Sequence, residues 1–112
     1  MQDREVLDYI KQAFELKAQG CYKQAIEMLY KTLEADVDNI EILYQLGDLY
    51  FQLHNYVRAK KYLEKVLTIN PSHIEAYRLM KEIFIRENNL QDAKTMAEKI
   101  YAIDGSSKSL AD

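Results

Sequence analysis

Apolar residues recur along the chain three and four positions apart, which is the spacing of an amphipathic helix. The first segment shows this pattern from Val6 to Leu16. The same spacing returns in five further segments: Ala25–Leu33, Leu43–Tyr50, Ala59–Leu67, Ala76–Ile85 and Ala93–Ile103. The pattern therefore predicts six helices of about 13 residues each, joined by loops of about two to five residues.

Short polar joints between these segments carry residues that end one helix and begin the next. Gly20 and Asn88 tolerate the left-handed backbone conformation in which many helices end. Asn55 and Asn89 offer side-chain oxygens to the free amide groups at the start of the following helix. These residues predict tight turns inside pairs of helices.

The joints between the pairs have the spacing of capping boxes. Ser72 with Glu75, and Asp38 with Glu41, lie three residues apart, so that each side chain can bind the other's backbone amide. Pro71 has no amide hydrogen and ends the preceding helix. We therefore expect Asp38 and Ser72 to be the N-caps of the helices that follow them.

The sequence can be aligned with a shifted copy of itself in which Ala25 falls on Ala59. Similar residues then match in many columns. Ala25, Ala59 and Ala93 fall into one column, where small side chains would let two helices approach closely. Other matched columns hold large residues or turn residues: Leu16, Tyr50 and Phe84; Tyr22, Tyr56 and Leu90; Gly20, His54 and Asn88. So many matches at one offset, which we call the repeat period, indicate three equivalent units.

The middle unit carries a motif with fixed spacing: Leu43-x-x-Leu46-Gly47-x-x-Tyr50, then Ala59-x-x-x-Leu63, then Pro71. This motif and the repeat period resemble those of the tetratricopeptide repeat. In the outer units Gln12 and Lys81 depart from the pattern. The resemblance implies an all-α, right-handed solenoid of three helix-turn-helix units, with a single repeat domain and a polar C-terminal tail. The expected boundaries are 6–39, 40–73 and 74–107 for the units, 1–107 for the domain and 108–112 for the tail.

Composition and charge exclude several classes of function. The chain has no apolar run of the roughly 20 residues that cross a bilayer, and it does not start with a basic segment followed by an apolar one. A single cysteine, Cys21, fits a reducing compartment. We therefore expect a cytoplasmic protein that inserts into no membrane.

The formal net charge of −3 argues against nucleic acid as a partner, because phosphate backbones bind basic surfaces. A basic cluster at Arg58, Lys60, Lys61 and Lys65 is diluted by Glu64. We interpret it as the solvated face of a helix.

Catalytic chemistry has no support in the sequence. The phosphate-binding, dinucleotide-binding, zinc-protease and paired-cysteine motifs are all absent from it. His54, His73 and Cys21 lie in three separate joints, without the spacing of a metal site. We therefore expect no enzyme activity, no cofactor and no metal.

The resemblance also implies a concave groove that is lined by the first helix of each unit. It places an apolar strip rimmed by charge there, and such strips are typical of protein-binding surfaces. The predicted groove residues are Leu7, Ile10, Phe14, Tyr44, Asp48, Phe51, Arg78, Glu82 and Ile85. The alternative is that an additional segment or a second chain covers this strip.

The predicted function is a non-catalytic scaffold or adaptor that binds a peptide or helix of a partner protein in this groove. One alternative is a chaperone-like role in secretion or complex assembly, in which a client is soluble only when co-expressed. Another is a fragment of a larger repeat protein that self-associates. In the last predicted helix Ile100, Tyr101 and Ile103 lead directly into the tail without a polar helix to cover them. We therefore expect either that the chain is a piece of a longer protein or that it forms a homo-oligomer, through these residues or through the groove.

One ligand class is disfavoured. Repeat domains of this family that hold the C-terminal carboxylate of heat-shock chaperones use a clamp of Lys, Arg and Asn. The positions that match this clamp lack a cation, so that the charge-assisted bonds to a carboxylate cannot form; they are Ile10, Phe14, Gln45, Glu75 and Leu79. An apolar ligand that carries Lys or Arg is expected instead.

Overall fold

The chain folds into α-helices connected by short turns, in a computed structural model that describes residues 3–105. This range contains six helices and no strand: α1 (Asp3–Ala18), α2 (Tyr22–Ala35), α3 (Ile40–Gln52), α4 (Tyr56–Ile69), α5 (Ile74–Arg86) and α6 (Leu90–Ile103). The number of helices, their lengths and the short joints confirm the prediction. The predicted tail at 108–112 and the last two residues of the predicted third unit lie outside the described residues.

The turn inside each helix pair has the same geometry, and it recurs once per repeat period. Gly20, His54 and Asn88 have positive φ angles of 82°, 61° and 60°. The amide that follows each of them donates to the carbonyl five residues earlier, which is the Schellman arrangement for the end of a helix. These bonds are Cys21 to Leu16 at 2.8 Å, Asn55 to Tyr50 at 2.9 Å and Asn89 to Phe84 at 2.8 Å. The repeat therefore exists in the backbone as well as in the sequence.

The predicted caps of α4 and α6 are confirmed. The side-chain oxygen of Asn55 accepts the amide hydrogen of Arg58 at 3.2 Å. Asn89 does the same for Asp92, also at 3.2 Å. Each of these asparagines therefore satisfies an amide that the first turn of a helix would otherwise leave unpaired.

The predicted capping boxes at Asp38 and Ser72 are wrong by one residue. Asn39 and His73 are the N-caps of α3 and α5, and each accepts the amide hydrogen three positions further on at 3.1 Å. The physical reason is that a cap must directly precede the first helical residue. Ile40 and Ile74, which begin the two helices, follow Asn39 and His73.

The residues fall into two compact units, Met1–Tyr62 and Leu63–Asp112. In the first unit α2 packs against both α1 and α3; in the second, α5 packs against α6. The small-residue column is buried throughout, with Ala25 and Ala59 at 0% exposure and Ala93 at 6%. All three alanines thus have the same kind of environment, as the repeat requires.

Candidate partner-binding site

The predicted groove residues of α1 surround a concavity of about 520 Å³ in the first unit. Leu7 and Phe14 are 58% and 41% exposed, whereas Ile10 is buried. Asp36 and Glu41 belong to the same lining. Asp3 and Lys11 also line it, so that carboxylates outnumber cations in the lining. We call this feature the Phe14 hollow.

The predicted groove residues of α3 are less accessible than those of α1. Tyr44, Asp48 and Phe51 are all half-buried. The Lys17 ammonium pairs with the carboxylate of Asp48 and also donates to the side-chain oxygen of Gln45 at 3.3 Å. Asp48 is therefore neutralised by a cation of α1 and adds little negative charge to the surface.

The predicted groove residues of the second unit lie on α5. Arg78 is exposed and pairs with Glu75 at 3.6 Å; Glu82 pairs with Arg86 at 3.2 Å. Ile85 is 45% exposed. The structure therefore places six of the nine predicted groove residues in the first unit and three in the second.

The positions of the carboxylate clamp hold no cation. Gln45 is buried, and its amide donates to Glu41 at 3.4 Å. Ile10 and Leu79 are buried aliphatic side chains.

A cluster of three tyrosines in the first unit is a feature that the sequence did not predict. The hydroxyl of Tyr62 donates to that of Tyr30 at 2.8 Å, and the Tyr30 and Tyr50 hydroxyls are also 2.8 Å apart. The rings of Tyr50 and Tyr62 stack with centroids 5.8 Å apart. The guanidinium of Arg58 lies 5.7 Å from the Tyr50 ring centroid. Tyr30 belongs to the pair α1–α2, whereas Tyr50 and Tyr62 belong to the pair α3–α4. The three tyrosines stand in different repeat columns, so that the alignment of the repeats did not reveal the cluster.

This arrangement moves the three phenol pKa values in different directions. Burial raises the pKa of Tyr50 and Tyr62, and the hydrogen bond that each makes with Tyr30 raises it further. Burial also opposes ionisation of Tyr30, but hydrogen bonds from the other two tyrosines and the charge of Arg58 together lower its pKa. Tyr30 is therefore the phenol of the cluster that ionises first.

The described residues offer little else that could carry chemistry. Over residues 3–105, three or more His, Cys, Asp or Glu side chains nowhere come together as metal ligands. In the same range no helix combines the length and the apolar character needed to span a membrane. Cys21 is partly exposed in the first turn and forms no disulfide.

The predicted self-association residues lie at the end of α6. Tyr101 is 45% exposed, and Ile100 and Ile103 are half-buried. Ala93 is the one buried residue among those of α6 that the structure describes, whereas α3 has seven. The last described helix therefore leaves more apolar surface in contact with water than α3 does.

Residues 40–73 match the family model of the tetratricopeptide repeat. The chain contains a tetratricopeptide repeat. The matched residues coincide with the middle unit predicted from the sequence, and the six described helices fit three such units. The resemblance to the tetratricopeptide-repeat family is thereby confirmed.

Solved structures with the same architecture support this result. MamA superposes with a TM-score of 0.85 at 17% identity, covering 93% of this chain and 61% of its own length. The first TPR of Spaghetti (RPAP3), bound to the HSP90 peptide SRMEEVD, has a TM-score of 0.85 at 20% identity, covering 100% of this chain and 98% of its own. A tetratricopeptide repeat protein from Parabacteroides merdae has a TM-score of 0.85 at 22% identity, covering 93% of this chain and 41% of its own length. At these identities the matches confirm the all-α solenoid fold. The chain spans less than two thirds of the length of MamA and of the Parabacteroides protein.

Proposed function

We propose that this chain is a non-catalytic protein-interaction module, a scaffold or adaptor, that binds a helix or extended peptide of a partner protein. The Phe14 hollow is the proposed centre of the binding site. The observation that carries the proposal is the exposure of Leu7 and Phe14, which lie about two turns apart on one face of α1 and both line a concavity large enough for side chains of a ligand. Large apolar side chains grouped in this way are typical of interaction surfaces.

The charges around the hollow favour an apolar ligand with basic residues. Asp3, Asp36 and Glu41 line it together with one cation, Lys11, and the net charge of the chain is −3. Spaghetti binds the acidic peptide SRMEEVD. The clamp positions of this chain have no cation for such a peptide, so that an acidic C-terminal tail is not the proposed ligand.

The repeat columns point to equivalent positions on α5, considered within the second unit by itself. Arg78, Glu82 and Ile85 stand one repeat period after Tyr44, Asp48 and Phe51, the groove residues of α3. These three positions of the second unit are therefore proposed as additional ligand contacts.

The experiment that tests the proposal is affinity capture from native lysate followed by mass spectrometry, with a double Leu7→Ala, Phe14→Ala variant as the comparison. Both side chains are exposed, so that the double variant should keep its helicity. We expect the partner captured by the unmodified chain to lose at least tenfold in yield. A purified complex should weaken by a similar factor in calorimetric titration.

The matched control is Val57→Ala with Leu90→Ala, which removes two apolar side chains that are 76% and 63% exposed elsewhere on the molecule. This control should capture the partner at the yield of the unmodified chain. Equal capture by the double Leu7, Phe14 variant would show that the Phe14 hollow is not the binding site.

Self-association through α6 is a second candidate, favoured by the exposed Tyr101 and half-buried Ile100 and Ile103. Light scattering over a hundredfold range of concentration tests it. We expect the apparent mass to rise with concentration and to stay at the monomer value in Tyr101→Lys. A strict monomer for the unmodified chain would contradict it.

A further inference from the structure

A second concavity of about 500 Å³ opens on the first unit between α1 and α2. Its apolar lining comes from Tyr9, Leu16 and Met28. Its polar lining consists of Gln24, Glu27, Lys31 and Thr32. We call it the Met28 hollow. It shares no lining residue with the Phe14 hollow.

One repeat period after the Met28 hollow, in the middle repeat unit, the corresponding position is occupied by the side chain of Tyr30. The hydroxyl of Tyr30 bonds to those of Tyr50 and Tyr62, and its ring meets the Tyr62 ring edge-on with centroids 6.2 Å apart. Arg58 is the cation that acts on the Tyr30 phenol.

Three lining residues of the Met28 hollow stand one repeat period before these neighbours of Tyr30. They are Leu16, Gln24 and Met28, the equivalents of Tyr50, Arg58 and Tyr62. The Met28 hollow is thus the repeat equivalent of a position that, in the middle unit, receives an aromatic side chain from the preceding helix.

The surface of α1 is polar at positions where α3 is apolar, and this difference bears on what could pack against α1. Ile42, Leu46 and Leu49 of α3 are all buried, at 1% exposure or less. Their equivalents one repeat period earlier are polar and exposed: Asp8, Gln12 and Glu15. A helix that covers α1 must therefore present basic or polar side chains to two carboxylates, where α3 requires apolar ones.

We propose that the Met28 hollow is a docking site for an amphipathic helix of a partner protein, which inserts one aromatic side chain between α1 and α2 and sets basic residues against Asp8 and Glu15. The aromatic ring occupies the hollow as Tyr30 occupies its equivalent. The basic residues take the place of the apolar side chains that pack α2 against α3.

A synthetic peptide can test this site on the complete chain. The probe is residues 22–35 of the chain itself, with two apolar residues that are buried in α2, Ile26 and Leu29, replaced by lysine to supply basic groups for the acidic α1 surface. Its partner in the comparison carries Tyr30→Ala in addition. The readout is the chemical shift of the ¹³C-labelled Met28 methyl group during titration, with the methyl of buried Met80 in α5 as the internal control.

We expect a saturable shift of the Met28 signal, no shift of Met80, and an affinity at least tenfold lower for the peptide without the phenol ring, because burial of the ring drives the insertion. In the chain, Glu15→Lys should weaken binding several-fold. Glu98→Lys, the same change of charge on an exposed residue of α6, should not.

Three results would overturn the proposal. The first is equal affinity of the two peptides, which would mean that charge alone drives binding. The second is an unchanged Met28 signal at saturating peptide. The third is a Met28 shift that grows with protein concentration before any peptide is added, because a second copy of the chain would then occupy the hollow.

Discussion

Gly20, His54 and Asn88 show how one backbone conformation is met by three different residues. Each has a positive φ angle at the end of the first helix of its pair. Glycine adopts this conformation without strain, asparagine at small cost, and histidine at a larger one. The position in the repeat therefore fixes the conformation, and the side chain only sets its energy.

We expect Gly20→Ala to lower the free energy of unfolding by roughly 1–2 kcal/mol, the ordinary cost of a left-handed alanine. A Cβ atom at Gly20 would have no neighbour within 4 Å, so that the destabilisation comes from backbone strain and not from a steric clash. Urea unfolding measures it. Asn88→Gly is the converse variant and should raise stability; an unchanged midpoint for Gly20→Ala would refute the assignment of the turn.

The tyrosine cluster predicts a dependence of stability on alkaline pH. The raised pKa values of Tyr50 and Tyr62 mean that the unfolded state releases these protons first. Their contribution is complete below the ordinary tyrosine pKa of about 10 and is lost as the pH rises through the folded values. Tyr30 acts in the opposite sense, because its lowered pKa adds stability as the pH approaches 10. The upward pKa shift of Tyr62 is the largest of the three, so stability should fall above pH 10.

Tyr62→Phe should reduce the loss of stability at alkaline pH. At pH 8 it should lower the free energy of unfolding by about 1 kcal/mol, because it removes the hydrogen bond to Tyr30. Urea unfolding at intervals from pH 8 to pH 11 provides the measurement. Tyr101→Phe removes the same hydroxyl from an exposed ring outside the cluster and serves as the control. Identical pH profiles for Tyr62→Phe and the unmodified chain would contradict this account.

At the scale of the helices, α1 and α3 are joined by a polar link. Lys17 of α1 pairs with Asp48 of α3, at side-chain exposures of 26% and 15%, and donates to Gln45. Removal of the cation would leave a largely buried carboxylate without compensation.

We expect Lys17→Met to cost about 1–3 kcal/mol, and the double variant with Asp48→Asn to cost less than the sum of the two single changes. Denaturant unfolding of all four proteins gives the coupling free energy. Arg78→Met, at an exposed pair with Glu75, is the matched control and should change stability by no more than about 0.5 kcal/mol. Simple additivity would show that the pair does not couple α1 to α3.

The positions of the helices were predictable because their apolar spacing extends over three to four turns. The residue at which each helix begins was less predictable. Asn39 and Asp38 are both good caps by residue type. Ser72 is a better cap by type than His73, yet the ring nitrogen of His73 accepts the amide hydrogen of Ala76. The choice between neighbours depends on where the helix register places Ile40 and Ile74, and local sequence does not fix that register to one residue.

For the molecule as a whole, the net charge of −3 predicts weak binding to nucleic acid. Arg58 of the basic cluster on α4 lies over the Tyr50 ring. We expect the dissociation constant for a labelled DNA or RNA oligonucleotide to exceed about 100 µM at physiological salt, the weak end of the non-specific range. Fluorescence anisotropy measures it. Tight binding that disappears in Lys60→Glu, Lys61→Glu would contradict the prediction.

The sequence by itself determined the helices, the repeat and the family, because periodic apolar residues and turn residues act over short distances and recur. It also indicated Leu7 and Phe14, since both are large apolar residues at groove positions of one predicted helix. Only the tertiary structure decided which of the predicted groove residues are accessible: it buried Ile10 and neutralised Asp48 with Lys17. It likewise brought Tyr30 to Tyr50 and Tyr62 and left the equivalent Met28 hollow open. Burial and pairing depend on side chains far apart in the sequence, which no local pattern specifies.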